Sequence, residues 1–423
     1  MNPKLRVKLS LMLNYFVFAI LLNSVGTVIL QVQNNFGISE SAASVLEAFK
    51  DLSIAITSFL IASYIVRIGY KRAMLLALLL VTAACLAMPF LPSFWMTKVL
   101  FATVGVSFAL IKVSVFATIG IVTEDEKEHA SFMNFLESFF MVGILSGYFV
   151  FSAFVDDTNT ASTAWTNVYF LLAFISFAAF LLLLSTPLDE SQVQEQHNDS
   201  KGFAEEFAGM MRLMAKSLVL IFIVSAFIYV LVEQGIMSWL PSFNSKILNL
   251  PTSLSIEMAA ILAGSTALGR FLAGFVLQKV EWYPVVAVSL VVAAILVLVS
   301  LPLASSVEEG RVITGWFDAP LAAFVFPMIG LCLAPIYPAI NSAILSALPV
   351  QQHAPMSGLI VVFSALGGTT GSLITGYMFE HYDGQTAFYM SLIPLTVLLV
   401  TLFVFNRMIK GHEKFINYEP PAK

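Results

Sequence analysis

Residues 187–216, PLDESQVQEQHNDSKGFAEEFAGMMRLMAK, form the one long polar stretch of this chain. The stretch is rich in Asp, Glu, Gln and Lys, and long apolar segments adjoin it on both sides. Its part from Phe203 to Lys216 has the composition of an amphipathic helix that lies on a membrane surface. We therefore predict that 187–216 is a cytoplasmic linker between two halves of the chain, residues 1–186 and residues 217–423.

Apolar segments of about 20 residues recur in both halves, and that length crosses a hydrocarbon core about 30 Å thick. Six of them precede the linker and six follow it, which predicts an all-α membrane protein with about twelve transmembrane helices in two pseudo-symmetric six-helix bundles. The predicted spans cover 9–31, 41–65, 73–92, 97–122, 132–153, 165–186, 217–243, 256–277, 284–303, 315–347, 356–379 and 387–408.

The composition indicates a surface that faces lipid and excludes several classes of function. Of the residues, 59% are hydrophobic and only 11% are charged, whereas a soluble domain has about 25% charged residues. The net charge of −5 argues against a nucleic-acid partner. Because Cys85 and Cys332 lack metal or redox spacing, and no hydrolase or P-loop motif occurs, we expect no enzyme activity, no metal and no cofactor.

Lys and Arg are distributed unevenly between the two sides of the predicted spans. With the N-terminus inside, most basic residues fall on the cytoplasmic side, and the outer side receives only Lys98, Lys246 and Arg311. Basic residues are enriched in cytoplasmic loops. We therefore predict that both termini are cytoplasmic in a cell membrane, with a bacterial inner membrane as the expected location.

Ionisable residues within the spans are the sharpest functional signal, because each costs about 2.5–3.5 kcal/mol at a helix centre. Glu47, Lys50 and Asp51 lie at positions i, i+3 and i+4, which places them on one helical face. Two interpretations remain open for this group. It is either a structural ion network, or it couples transport to a proton or ion through Glu47 and Asp51.

Short basic turns occupy equivalent places in the two halves, which indicates an internal repeat. One is RIGYKR at 67–72, and the other follows GRFLAG at 269–274 and ends at Lys279. The chain resembles the major facilitator superfamily over nearly its whole length, including that family's loop motif, in which Gly69, Lys71 and Arg72 are kept. The resemblance implies a gating role for Arg67, Lys71 and Arg72.

Within that family, the second half is most similar to fucose–proton symporter-like transporters and TsgA-type proteins. The matching motifs are Tyr229-Val230, Ser238 to Pro241, Gly269 to Phe271, Tyr337-Pro338, Ser357-Gly358 and Gly367-Gly368. In the first half, the two acidic positions of the symporters align with Gly26 and Leu110. The resemblance implies alternating access and a substrate site between the two bundles.

Candidate substrate-binding residues follow from this resemblance and from the polar side chains within the spans. They are Lys112, Asn134, Glu137, Glu233, Gln234, Tyr337 and Asn341. Two roles are open for Lys112: it contacts an anionic group of the substrate as a point charge, or it pairs with Glu137.

Proton coupling must use carboxylates, because no histidine lies inside a predicted span. Glu137 and Glu233 are the further coupling candidates, since burial favours the neutral, proton-carrying form of a carboxyl group. Arg270 is expected to reach the interface or to seal the cytoplasmic gate rather than to bind substrate.

These observations predict a secondary transporter that moves a small polar solute, such as a sugar or sugar acid, by proton-coupled symport. The expected partners are the lipid bilayer, the small-molecule substrate and the coupling proton or ion, and we expect a monomer. A proton-driven exporter of a metabolite, siderophore or drug on the same fold is the alternative. A sensor on a transporter scaffold is a further alternative, although we expect no signalling domain to be attached.

Overall fold

The computed structural model describes residues 3–61, 65–123, 126–188, 190, 203–305, 313–349 and 352–416. Within these ranges, the regular secondary structure is helical throughout.

Six spans make up the first half, and two of them are interrupted helices. Span 1 consists of Pro3–Asn23 and Val25–Phe36, and span 2 consists of Glu40–Ala43 and Val45–Ile61. Spans 3 to 6 are Tyr70–Phe90, Phe94–Val122, Glu126–Ser152 and Val168–Leu184; the short helix Ile65–Ile68 precedes span 3, and Thr163–Asn167 precedes span 6.

The second half begins after the helix Phe203–Met214, which lies in the predicted linker. Spans 7, 8 and 9 are Ser217–Lys246, Thr252–Val276 and Trp282–Ser305. Span 10 is broken into Ala322–Val325, Phe326–Met328, Ile329–Leu333 and Ile336–Ser346, after the short helix Trp316–Asp318. Span 11 is His353–His381, and span 12 consists of Gly384–Tyr389 and Leu392–Ile416.

Eleven of the described helical segments are long and apolar enough to cross a membrane. Span 2 is the exception, because it is interrupted at Ser44 and carries three ionisable residues. Large apolar side chains on the outer surface, such as Phe174 at 72% exposure and Phe271 at 64%, are the surface that lipid covers. The prediction of an all-α, multi-pass membrane protein is therefore confirmed.

Local sequence explains where several helices begin and break. Ser39 and Ser93 cap the first turns of spans 2 and 4, since their side chains accept hydrogen bonds from Ala42 N and Met96 N. In span 10, Pro335 interrupts the helix because proline has no backbone N–H to donate. The carbonyl groups just before that break are left without partners in their own helix.

Spans 1 and 7 pack closely enough to exclude a side chain at Gly26. A Cβ atom there would lie 2.7 Å from the backbone oxygen of Ser238. This close approach leaves no room for a larger side chain at position 26. The helices therefore meet backbone to backbone, as small residues allow in membrane proteins.

The first and last described residues, Pro3 and Ile416, lie at one face of the molecule, which we call the terminal face. There, Lys8 near the start of span 1 pairs with Glu128 at 2.6 Å, and Lys410 near the end of span 12 pairs with Glu281 at 2.9 Å. The other face, where span 1 ends and span 2 begins, is called the opposite face.

Candidate functional site

Polar contacts join the two halves at the opposite face. Lys246, the last residue of span 7, forms an ion pair with Glu40 and donates a hydrogen bond of 2.6 Å to Gln33. Ser152 at the end of span 5 donates a bond of 3.0 Å to Glu257 in span 8. These contacts close the molecule on this side.

Two carboxylates at the opposite face each cap a helix of the other half. Glu380 at the end of span 11 accepts a hydrogen bond of 2.9 Å from Ser41 N, in the first turn of span 2. Asp157, which follows span 5, accepts one of 2.9 Å from Ser253 N, in the first turn of span 8. A carboxylate stabilises a helix N-terminus through its unpaired N–H groups and dipole. Spans 5 and 11 occupy equivalent places in the two halves. The same type of capping contact between the halves therefore occurs twice.

The ionisable residues of span 2 lie buried between the halves. Lys50 forms an ion pair with Glu47, and its Nζ lies 3.4 Å from Asp51 Oδ1. Glu47 Oε2 accepts a hydrogen bond of 2.8 Å from Ser238 Oγ of span 7. Asp51 faces Gly368 of span 11, where a Cβ atom would lie 2.5 Å from Oδ2. The geometry suits a structural ion network, while the coupling role of Glu47 and Asp51 stays a prediction.

A cavity of about 170 Å³ lies between the halves, on the terminal side of these contacts. Its polar lining comes from Asn23 of span 1, Glu233 and Gln234 of span 7, and Thr266 and Arg270 of span 8. Asn23, Gln234 and Met237 also line a smaller space that reaches Lys50. The cavity therefore extends toward the buried ion network.

Glu233 is held by an aromatic pair in the second half. The hydroxyl of Tyr229 lies 2.7 Å from Glu233 Oε1 and 3.1 Å from the backbone oxygen of Leu333. The ring of Tyr229 stacks on Tyr337 with centroids 5.6 Å apart. The hydroxyl of Tyr337 in turn bonds Ser364 Oγ at 2.8 Å. The carboxyl group of Glu233 is thus fixed at the cavity wall.

Glu137 is a further charged residue, with one electrostatic partner in its own half and one in the other half. Glu137 of span 5 interacts electrostatically with Lys112 of span 4 and with Arg270 of the other half. Arg270 also interacts with Glu233. Among the described residues, neither Lys112 nor Arg270 forms an ion pair within 4.0 Å. The side chains of Lys112 and Arg270 are exposed.

The structure brings together some of the predicted residues and leaves others apart. Glu233 and Gln234 line the cavity, whereas Tyr337 lies behind Tyr229 and Asn341 contacts Tyr337. The side chains of Asn134 and Arg67 lie outside the described part of the chain.

The basic turn after span 2 contacts the end of span 6. Lys71 Nζ donates to the backbone oxygens of Leu184 and Thr186 at 3.1 and 2.8 Å, while Arg72 is exposed. The gating roles of Arg67, Lys71, Arg72 and Arg270 stay predictions.

Arg270 lines the cavity, and Asp157 and Glu380 cap helices of the other half; none of these three roles was predicted from the sequence. A signal for the caps was present, because each acidic residue closely follows a long apolar segment. No sequence pattern of that kind predicted that Arg270 lines the cavity. Its place beside Glu233 depends on how spans 7 and 8 pack.

Comparisons with known proteins agree on the family of folds. A sequence model of the Major Facilitator Superfamily matches residues 11–349. Among curated proteins, no sequence matches this chain with statistical significance.

Three solved structures share the fold along nearly the whole chain. The nucleoside transporter NupG has a TM-score of 0.67 at 16% identity, covering 99% of this chain and 100% of that one. A bacterial homologue of the human lysosomal transporter Spinster, inward-facing and unoccupied, has a TM-score of 0.73 at 16% identity, covering 100% of both chains. A variant of the E. coli fucose:proton symporter FucP has a TM-score of 0.61 at 15% identity, covering 96% and 99%. At these identities the likeness shows the fold alone.

Proposed function

The chain belongs to the Major Facilitator Superfamily, and from that premise we propose that it moves a small polar solute across a membrane by alternating access. The protein is a transporter and not an enzyme. The observation that carries the proposal is the polar cavity between the halves, which lies beside contacts that close the opposite face. A site at the interface of two repeats, opened to each side in turn, is how such transporters work.

Proton-coupled symport of a sugar, sugar acid or related metabolite is the form of transport we propose. Glu233 at the cavity wall and Glu137 across from it supply carboxyl groups that can carry a proton. Solved proteins of the same fold include the fucose:proton symporter. The motifs of the second half, from Tyr229 to Gly368, support a relationship of this chain with the fucose–proton symporter-like and TsgA-type proteins.

In this proposal, residues 1–186 and 217–423 are the two bundles that move against each other, and 187–216 connects them. The monomer is the transporting unit. The distribution of Lys and Arg supports cytoplasmic termini in a bacterial inner membrane, so the opposite face would be the outer one.

We expect purified protein in vesicles to accumulate a labelled solute when the outside is more acidic than the inside. For one proton per solute, a gradient of one pH unit supports about tenfold accumulation. A protonophore should abolish the accumulation, and vesicles without protein are the control. Accumulation driven by the reverse gradient would favour the exporter, and the absence of any gradient-driven movement across a panel of sugars and sugar acids would contradict the proposal.

We expect a cross-link between the halves at the opposite face to stop transport. Cysteines replacing Glu40 and Lys246, joined by a short bifunctional thiol reagent, would hold that face closed because the native side chains are in contact. The background variant lacks Cys85 and Cys332, the free cysteines of the described part. Uptake into vesicles is measured before and after cross-linking, and a reductant that cleaves the link should restore it.

The matched control cross-links cysteines placed at Glu281 and Lys410. These residues are also in contact, but both belong to the second half. This control should leave uptake nearly unchanged. Equal uptake by the protein cross-linked at 40 and 246 would show that the opposite face does not need to open.

A further inference from the structure

Among the described residues, Glu233 and Arg270 are the ionisable side chains that line the cavity. If both are ionised, their charges cancel. The protonation of Glu233 therefore decides the net charge of the site.

One arrangement of the hydrogen bonds around Tyr229 places a proton on Glu233. The hydroxyl of Tyr229 has one hydrogen, but it lies within bonding distance of both Glu233 Oε1 and the oxygen of Leu333. Leu333 ends a helix just before Pro335, so its carbonyl needs a donor from elsewhere. When Tyr229 donates to Leu333, the contact with Glu233 is a hydrogen bond only if the carboxyl group donates.

With Glu233 neutral, Arg270 leaves one positive charge at the cavity wall for a bound molecule. Arg270 lines the cavity and has no ion pair within 4.0 Å among the described residues. A guanidinium group binds a carboxylate through two parallel hydrogen bonds. Asn23, Gln234 and Thr266 add neutral polar groups that suit hydroxyl groups of a ligand.

The size and charge of the cavity narrow the class of ligand. Its volume of about 170 Å³ corresponds to about six water molecules at roughly 30 Å³ each. This space favours a molecule of a few carbons over one of nucleoside size. A single excess positive charge matches a carboxylate better than a doubly charged phosphate ester.

We propose that the solute bound between the halves is a small organic monocarboxylate with hydroxyl groups, and that Arg270 pairs with its carboxylate. The inference rests on the proposed transport function. It assigns Arg270 to substrate recognition and Glu233 to the proton that accompanies the anion, so that each transport cycle moves no net charge.

Ligand-induced thermal stabilisation of the purified, full-length protein tests the proposal. The probes are matched pairs that differ in the carboxylate: glycerate with glycerol, lactate with propane-1,2-diol, and gluconate with sorbitol. Glycerol 3-phosphate tests the doubly charged alternative. At concentrations well above Kd, binding to the folded state raises the thermal midpoint. We expect a rise of about 2 °C or more for at least one acid and none for its alcohol.

Arg270→Gln should abolish that shift, and Arg270→Lys should keep only part of it, because lysine retains the charge but not the paired hydrogen bonds. Arg407→Gln is the matched control, since Arg407 contacts Phe403 in span 12, away from the cavity. If an Arg270 variant fails to fold, the wild-type protein still tests the proposal, because its thermal shift with each acid is compared with its shift with the matching alcohol.

Equal stabilisation by acid and alcohol, stabilisation by the phosphate ester alone, no stabilisation by any acid, or a full shift retained in Arg270→Gln would each overturn the proposal. Vesicle uptake separates this failure from that of the transport function. A neutral polyol that accumulates with the proton gradient would exclude the carboxylate while leaving the transporter intact.

Discussion

We expect the Glu233→Gln variant to lose proton-driven accumulation of solute while it keeps exchange of solute across the membrane. Glutamine has the shape of a protonated carboxyl group, and its NH₂ group can donate to the hydroxyl of Tyr229 as that carboxyl would. It cannot release a proton. With one pH unit across the membrane, the accumulation ratio should fall from about ten to about one.

Vesicle assays of net uptake and of counterflow measure the two activities separately. Glu281→Gln is the control, because Glu281 is an exposed carboxylate at the terminal face, paired with Lys410. Glu137→Gln is measured beside it, since Glu137 also faces Arg270. If Glu233→Gln accumulates solute normally and Glu137→Gln does not, the proton is carried by Glu137 instead.

The second large effect is expected at Lys50, which lies buried between two carboxylates. Lys50→Met removes the only positive charge of this group. The negative charges of Glu47 and Asp51 then have no buried cation beside them. Breaking a buried ion pair by removing one partner costs about 3–5 kcal/mol. We expect a large drop in the thermal midpoint of the purified protein, and a lower yield of folded protein in the membrane.

Lys410→Met is the matched control, since it breaks the exposed ion pair with Glu281. A pair in that setting contributes about 0–1 kcal/mol, so its thermal midpoint should change little. Equal midpoints for Lys50→Met and Lys410→Met would contradict the structural importance of the network.

A neutral triple variant separates the two interpretations of the span 2 group. Glu47→Gln, Lys50→Met and Asp51→Asn together remove the charges without leaving one unpaired, so stability should largely return. Proton-driven uptake that survives in this variant would assign the group a structural role. Uptake that is lost while stability returns would assign it to coupling.

The number and order of the helices could be predicted from sequence because both depend on local properties. A run of about 20 apolar residues must satisfy its own backbone in lipid and therefore forms a helix. The i, i+3 and i+4 spacing of Glu47, Lys50 and Asp51 likewise places them on one face without tertiary information. The same reasoning identified Lys112, Glu137 and Glu233 as charges that need a polar environment.

Only the tertiary structure decided which of these groups meet. Glu47 bonds to Ser238, which is 191 positions along the chain, and Asp157 caps the helix that contains Ser253. Arg270 lines the cavity beside Glu233, and no local pattern in the sequence indicated that place. Helical periodicity fixes the face on which a side chain lies, but the partner of that face depends on how the two halves pack.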